Sequence, residues 1–131
     1  MFHYKISRSL PLGARLNCAC NSGVKVLKIF AIKGRSGTKK RLRTAGVGDI
    51  VLGSAKKVTN SQMKGQVFEA TIIRQKKSWT RKNIYQRVGF SDNAAVITKN
   101  GQVVGTAIKG LIAKEVVLRN KKFATKGGLL Y

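Results

Sequence analysis

Apolar residues in this chain return at every second position, with Gly and Asn marking the breaks, and that period belongs to strands rather than helices. Over residues 14–20, Ala14, Leu16, Cys18 and Cys20 share one face while Arg15 and Asn17 take the other. Asn21-Ser22-Gly23 then supplies turn chemistry. Residues 24–32 form a near-continuous apolar run broken by Lys25 and Lys28, which reads as a strand buried on most of both faces. Residues 50–55 and 67–74 read as further strands. Residues 94–98 and 102–108 flank Lys99-Asn100-Gly101, and Asn-Gly between β-formers is the strongest short hairpin signal because both turn residues tolerate positive φ. The only plausible helix is residues 108–118, with Leu111, Ala113, Val116 and Val117 available to pack, and residues 119–131 carry no assignment. The pattern predicts a mostly-β fold of five or six short strands, a small closed or half-closed barrel. The single proline and 14 glycines agree, since tight barrel corners use Gly.

A chain of 131 residues fits one domain spanning 1–131. Basic residues number 27 against 4 acidic ones, a net charge of +23, while 43% of the chain is apolar. It has the means to build a core, and its surface must be strongly positive. Self-repulsion at that charge favours an anionic partner, and a nucleic-acid backbone rewards Lys and Arg by releasing condensed counterions. A membrane is the other polyanion. Yet no uncharged apolar run approaches the roughly 18 residues of a spanning helix, and no segment has the periodicity of an interfacial one. Lys5, Arg8 and Arg15 interrupt any signal-peptide core. The expected setting is the cytosol, with no membrane contact.

Catalysis is hard to build from this inventory. Asp49, Glu69, Asp92 and Glu115 lie far apart along the chain and form no local carboxylate pair. A nucleophile-His-acid set would have to use His3, near a terminus prone to fraying. Cys18 and Cys20 would make a strained bridge, and the ligand set of a metal site cannot be completed from them. The reading is no enzyme, no catalytic residue, no metal and no cofactor, with the cysteines as small buried hydrophobes and the acids paired with Lys or Arg or capping turns.

Two basic segments carry the candidate site. Lys33, Arg35, Lys39, Lys40, Arg41 and Arg43 lie in a connection where Gly34 and Gly37 permit close approach to a phosphate backbone. Arg74, Lys76, Lys77, Arg81 and Lys82 form the second, with Trp79 and Tyr85 interleaved. Trp79 is a candidate to stack on an unpaired base or a ribose; the competing reading puts it in the core. Either basic run alone would pass as a solvated face, but two runs with so few acids point to RNA or DNA binding. Composition does not separate a stable assembly component from a free nucleic-acid chaperone or chromatin-type binder, and a nuclease is the distant third.

The order of motifs narrows this. Leu10-Pro11-Leu12-Gly13-Ala14, Asn17-Cys18-Ala19 and Asn21-Ser22-Gly23-Val24-Lys25 open the series. Ala45-Gly46-Val47-Gly48-Asp49-Ile50-Val51 and Ile72-Ile73-Arg74-Gln75-Lys76-Lys77-Ser78 continue it. Phe90-Ser91-Asp92-Asn93-Ala94-Ala95-Val96-Ile97, Gly105-Thr106-Ala107-Ile108 and Ala113-Lys114-Glu115 complete it. Together they resemble a universal large-subunit ribosomal protein family, numbered fourteen in bacteria and twenty-three in its eukaryotic form, over residues 6–115.

The resemblance implies a five-stranded antiparallel closed barrel with a projecting β-ribbon and a short C-terminal helical region. It implies a structural constituent of the large subunit that binds large-subunit ribosomal RNA at the subunit interface and helps form an inter-subunit bridge to small-subunit RNA. Implied neighbours are large-subunit ribosomal proteins three and twenty-four, and an anti-association factor on free subunits. Both basic segments align with RNA-facing stretches of the family, while Asn21-Ser22-Gly23 and residues 46–49 match fold-setting turns. Cys20 stands where the family usually has Asp, and Arg119-Asn120-Lys121-Lys122-Phe123-Ala124 replaces its Trp-Pro-Arg-Ile-Ala-Ser stretch, so residues 119–131 are divergent.

Overall fold

The apolar runs Val24–Ile32 and Val67–Arg74 are strands over the whole length their pattern predicts. The computed structural model describes residues 6–33, 44–59, 61–81, 85–105, 107–120, 122–123 and 129–131. In chain order the elements are β1 (Leu10–Pro11), β2 (Arg15–Cys18), β3 (Val24–Ile32), β4 (Thr44–Ala45) and β5 (Ile50–Val58). A 3-10 turn at Ser61–Met63 precedes β6 (Val67–Arg74), β7 (Trp79–Arg81), β8 (Gln86–Val88), β9 (Ala94–Lys99) and β10 (Gln102–Val103). The chain closes with β11 (Leu111–Ile112), α1 (Lys114–Arg119) and β12 (Leu129–Leu130).

Strands β2, β3, β5, β6 and β9 pair in that order, and β9 returns to β2 to close the ring, with β10 appended to β9. The family resemblance predicted an antiparallel barrel, and four of the five seams are antiparallel. The fifth, Asn17↔Ala94 and Cys18↔Ala95, is parallel. Strand directions cannot alternate all the way round a ring of odd number, so one like-directed seam is unavoidable. The barrel is therefore mixed. Its interior is filled by Leu16, Leu27, Ile29, Val51, Ala70, Ile72 and Ala95, none more than 1% exposed. Each such large side chain contributes about 1.5–3 kcal/mol on burial.

The β9–β10 hairpin forms as expected: Asn100 (φ 53°) and Gly101 (φ 80°) are both left-handed, and Gln102 pairs with Lys99. Two expectations are corrected. The strand predicted over 102–108 ends at Val103, where the chain enters a turn with Gly105 at φ 105°; only the isolated bridge of Ile108 to Cys20 remains of its far end. The helix predicted over 108–118 is confined to Lys114–Arg119. Gly110 is left-handed at φ 81°, β11 pairs with β12, and Ala113 is extended, so the chain cannot be helical before Lys114. No helix among the described residues is long and apolar enough to cross a membrane.

Outside the barrel, β1 pairs with β4, and β7 pairs with β8 as an antiparallel ribbon in the register Trp79↔Val88. Two described residues of the divergent C-terminal region are tied in as well: Phe123 is fully buried, and the Tyr131 N–H donates to the Ile112 carbonyl at 2.9 Å.

Candidate nucleic-acid interface

The first basic segment leaves the barrel at the end of β3 and returns at β4. The Lys33 N–H donates to the Ile50 carbonyl at 2.9 Å, and Thr44 pairs with Pro11. The Lys33 ammonium donates to Glu69 at 2.7 Å, a pair that is largely open to water. Such a pair is worth at most about 1 kcal/mol and leaves Lys33 available to a competing phosphate. Arg35, Lys39, Lys40, Arg41 and Arg43 lie outside the described residues, as does Lys82 of the second segment.

The second segment is divided by the fold into two roles. Arg74 is drawn inward: its Nε lies 3.1 Å from Asp92, and Nη1 donates to the carbonyls of Lys109 and Leu111, each at 3.2 Å. Arg81 is likewise committed, donating from Nε (2.7 Å) and Nη2 (3.0 Å) to the two carboxylate oxygens of Glu115. Trp79 is 2% exposed, its indole N–H donates to Glu115 at 3.3 Å, and its ring packs on Phe90 at 5.9 Å between centroids. The stacking expectation for Trp79 is thus corrected, because neither ring face is open to a base. The Arg81 guanidinium sits 5.8 Å from its ring centroid. Lys76 and Lys77 remain exposed. So does Arg87, which donates to the Ser78 hydroxyl at 2.8 Å. The aromatic that faces solvent here is Tyr85, 86% exposed and left-handed at φ 52°.

Charge reading missed Gln75, while Asp49 pairs and caps as the acids were expected to. Gln75 is fully buried; its Oε1 accepts the Val47 N–H at 3.0 Å, and its Nε2 donates to the Ser7 and Lys77 carbonyls. Asp49 accepts the Gly46 N–H at 2.9 Å and pairs with Arg8 and Arg119, each at 3.3 Å. It thereby ties the 46–49 turn to both the N-terminal segment and α1. At the family's usual Asp position, the Cys20 thiol donates to the Ser22 hydroxyl at 3.2 Å within the turn. The only sequence signal for Gln75 was its place inside the Ile-Arg-Gln-Lys-Lys-Ser motif.

Glu115 shows how the carboxylates are used. Burial alone would push its pKa up, but the Arg81 hydrogen bonds, a backbone N–H, the Arg81 charge and the Trp79 indole outweigh it and hold the carboxyl below its ordinary value. With Asp49, Glu69 and Asp92 also engaged, every acid of the chain has a basic partner, and most of the 27 Lys and Arg have no carboxylate to pair with.

The sequence that builds this barrel has counterparts in known proteins. The family model described as ribosomal protein L14p/L23e matches residues 9–126. The chain belongs to that family. It is similar to the large ribosomal subunit protein uL14 of Methanococcus vannielii, at 53% identity over 115 residues that cover 87% of this chain and 86% of its relative. The uL14 of Nanoarchaeum equitans is 47% identical over 116 residues, with the same two coverages. That of Methanothrix thermoacetophila is 44% identical over 127 residues, 96% of this chain and 95% of the relative. As an L14p/L23e protein the chain is a structural, non-enzymatic component of the ribosome in the cytoplasm. The match runs past residue 115 into the divergent segment, in keeping with the buried Phe123 there.

Proposed function

We infer that this L14p/L23e protein binds large-subunit ribosomal RNA at the subunit interface and contributes to an inter-subunit bridge during translation. The observation that supports the reading most is the imbalance of charge after folding. Four carboxylates are consumed by internal pairs, and the remaining basic surface needs phosphates. The proposed contacts are Lys33, Lys76 and Lys77 among the described residues, together with Arg35, Lys39, Lys40, Arg41, Arg43 and Lys82 of the same two segments. Arg74, Trp79 and Arg81 act indirectly, by holding the ribbon that carries Arg87 and the β6–β7 connection that carries Lys76 and Lys77. Recognition runs through backbone and shape, because RNA helices hide their major-groove edges from side chains. Large-subunit ribosomal proteins three and twenty-four are the proposed protein neighbours, small-subunit RNA the partner across the bridge, and an anti-association factor the partner on free subunits.

Sucrose-gradient fractionation of native lysate at low and high salt tests this. The chain is expected to travel with the large subunit and resist a moderate salt wash. Recovery at the top of the gradient would overturn the reading in favour of a free nucleic-acid binder.

A further inference from the structure

The far end of the β3–β5 ladder carries a basic surface that neither loop segment includes. Between Val24↔Val58 and Val26↔Lys57 the register slips by one residue, and between Val26↔Lys57 and Leu27↔Ala55 it slips back. Lys25 is therefore the extra residue of a bulge on β3, and Lys56 the extra residue of a bulge on β5. In a regular ladder successive side chains point to opposite faces, so Lys57 would turn toward the barrel. The bulge re-aims it, and Lys56 and Lys57 are both exposed, in line with Lys25. Lys64, from the turn after the 3-10 segment, completes a cluster around an open depression of about 430 Å³ that Thr59 and Ser61 also line.

No Asp or Glu side chain is paired with this cluster among the described residues. All four carboxylates fall among the described residues and pair elsewhere, with Arg8 and Arg119, Lys33, Arg74 and Arg81. None of the large exposed apolar side chains lines the depression, whereas protein–protein interfaces are enriched in aromatic residues and depleted in Lys. Four ammonium groups around a depression whose only apolar lining residue is the half-buried Val58 suit a chain of phosphates. We propose that Lys25, Lys56, Lys57 and Lys64 bind the phosphate backbone of an RNA segment separate from the one taken by residues 33–43. Strand β3 has nine residues, and at about 3.3 Å per residue its two ends stand about 26 Å apart. The assignment rests on the ribosomal RNA reading above and adds a second point of attachment to it.

The test is hydroxyl-radical footprinting of the full chain on purified large-subunit ribosomal RNA, with binding measured across a salt series. The fourfold variant Lys25→Gln, Lys56→Gln, Lys57→Gln, Lys64→Gln is compared with a loop variant carrying Ala at 39, 40, 41 and 43. The expected result is loss of protection over one RNA segment that the loop variant still protects. The slope of log K against log salt should fall by about 3, and single Lys57→Gln and Lys64→Gln variants should each lower it by about 0.7–0.9. An unchanged slope and footprint, or loss of the same segment in both variants, would overturn the proposal. So would an unchanged RNA slope alongside weakened binding to polyglutamate, which would make the patch a site for an acidic protein. If the unaltered chain protects no RNA, the ribosomal RNA reading itself fails.

Discussion

Glu115 on α1 receives both prongs of the Arg81 guanidinium from β7, across 34 positions of sequence. With the Trp79 indole on the same carboxylate, this contact fastens the base of the β7–β8 ribbon to the C-terminal helix. Truncating one partner of a well-buried pair leaves the other charge stranded, at a cost of about 3 kcal/mol or more. Glu115→Ala is expected to lower stability by that amount in urea denaturation, and a midpoint within error of the parent would show that the ribbon needs no such anchor.

The same carboxylate carries a pH signature. Its pKa is lowered in the fold from an ordinary 4.5, burial being outweighed by the Arg81 and Trp79 contacts. A depressed carboxyl stabilises the folded state above the unfolded pKa, and that contribution is lost as pH falls through the folded value. The stability gap between the parent and Glu115→Gln should therefore be full above about pH 4.5 and shrink in more acid solution. Denaturation curves at several pH values check it; a gap that widens toward acid would reverse the sign.

Cys18 is inert by position. Burial, with a smaller contribution from Cys20, pushes its thiol up to about 12. Since the thiolate is the reacting form, iodoacetamide should alkylate Cys18 in the native protein at least tenfold more slowly than in urea. Equal rates in the two states would place the thiol in open solvent.

Gln75 joins three segments through its side-chain amide. Gln75→Leu keeps the bulk but strands the Val47 N–H and two carbonyls, at about 1–3 kcal/mol for each group left buried without a partner. Thermal melting is expected to show a clear loss, and a neutral outcome would mean that water replaces the amide.

On the proposed reading the basic loop acts through charge. Replacing Lys39, Lys40, Arg41 and Arg43 with Ala should lower the salt slope of RNA binding by about 0.7–0.9 for each phosphate that the loop no longer neutralises. A slope that stays put removes this loop from the RNA-binding surface.

What the sequence revealed and what it hid divide along contact range. Strands β3 and β6 and the Asn100-Gly101 hairpin were legible because their signals are local: apolar period and positive-φ chemistry. The role of Trp79 was not, because it depends on a carboxylate 36 residues away. Charge counting found the second basic segment but could not tell that Arg74 and Arg81 are spent on Asp92 and Glu115 while Lys76 and Lys77 stay exposed. The Lys25 and Lys56 bulges were equally invisible, since they arise from the register between two strands and from neither strand alone. The parallel pairing of β11 with β12 escaped notice for the same reason.

The like-directed seam between β2 and β9 also sets an order of events. As the polypeptide leaves the peptide exit in N-to-C order, β2 is made early and β9 more than seventy residues later. Until β9 emerges, the outer edge of β2 and the outer edge of β6 both stand open, and open edges recruit other strands. One late segment seals both at once, so the nascent chain stays vulnerable to aggregation for most of its synthesis. Premature termination between the end of β6 and residue 94 should leave a sticky open sheet rather than a smaller folded protein.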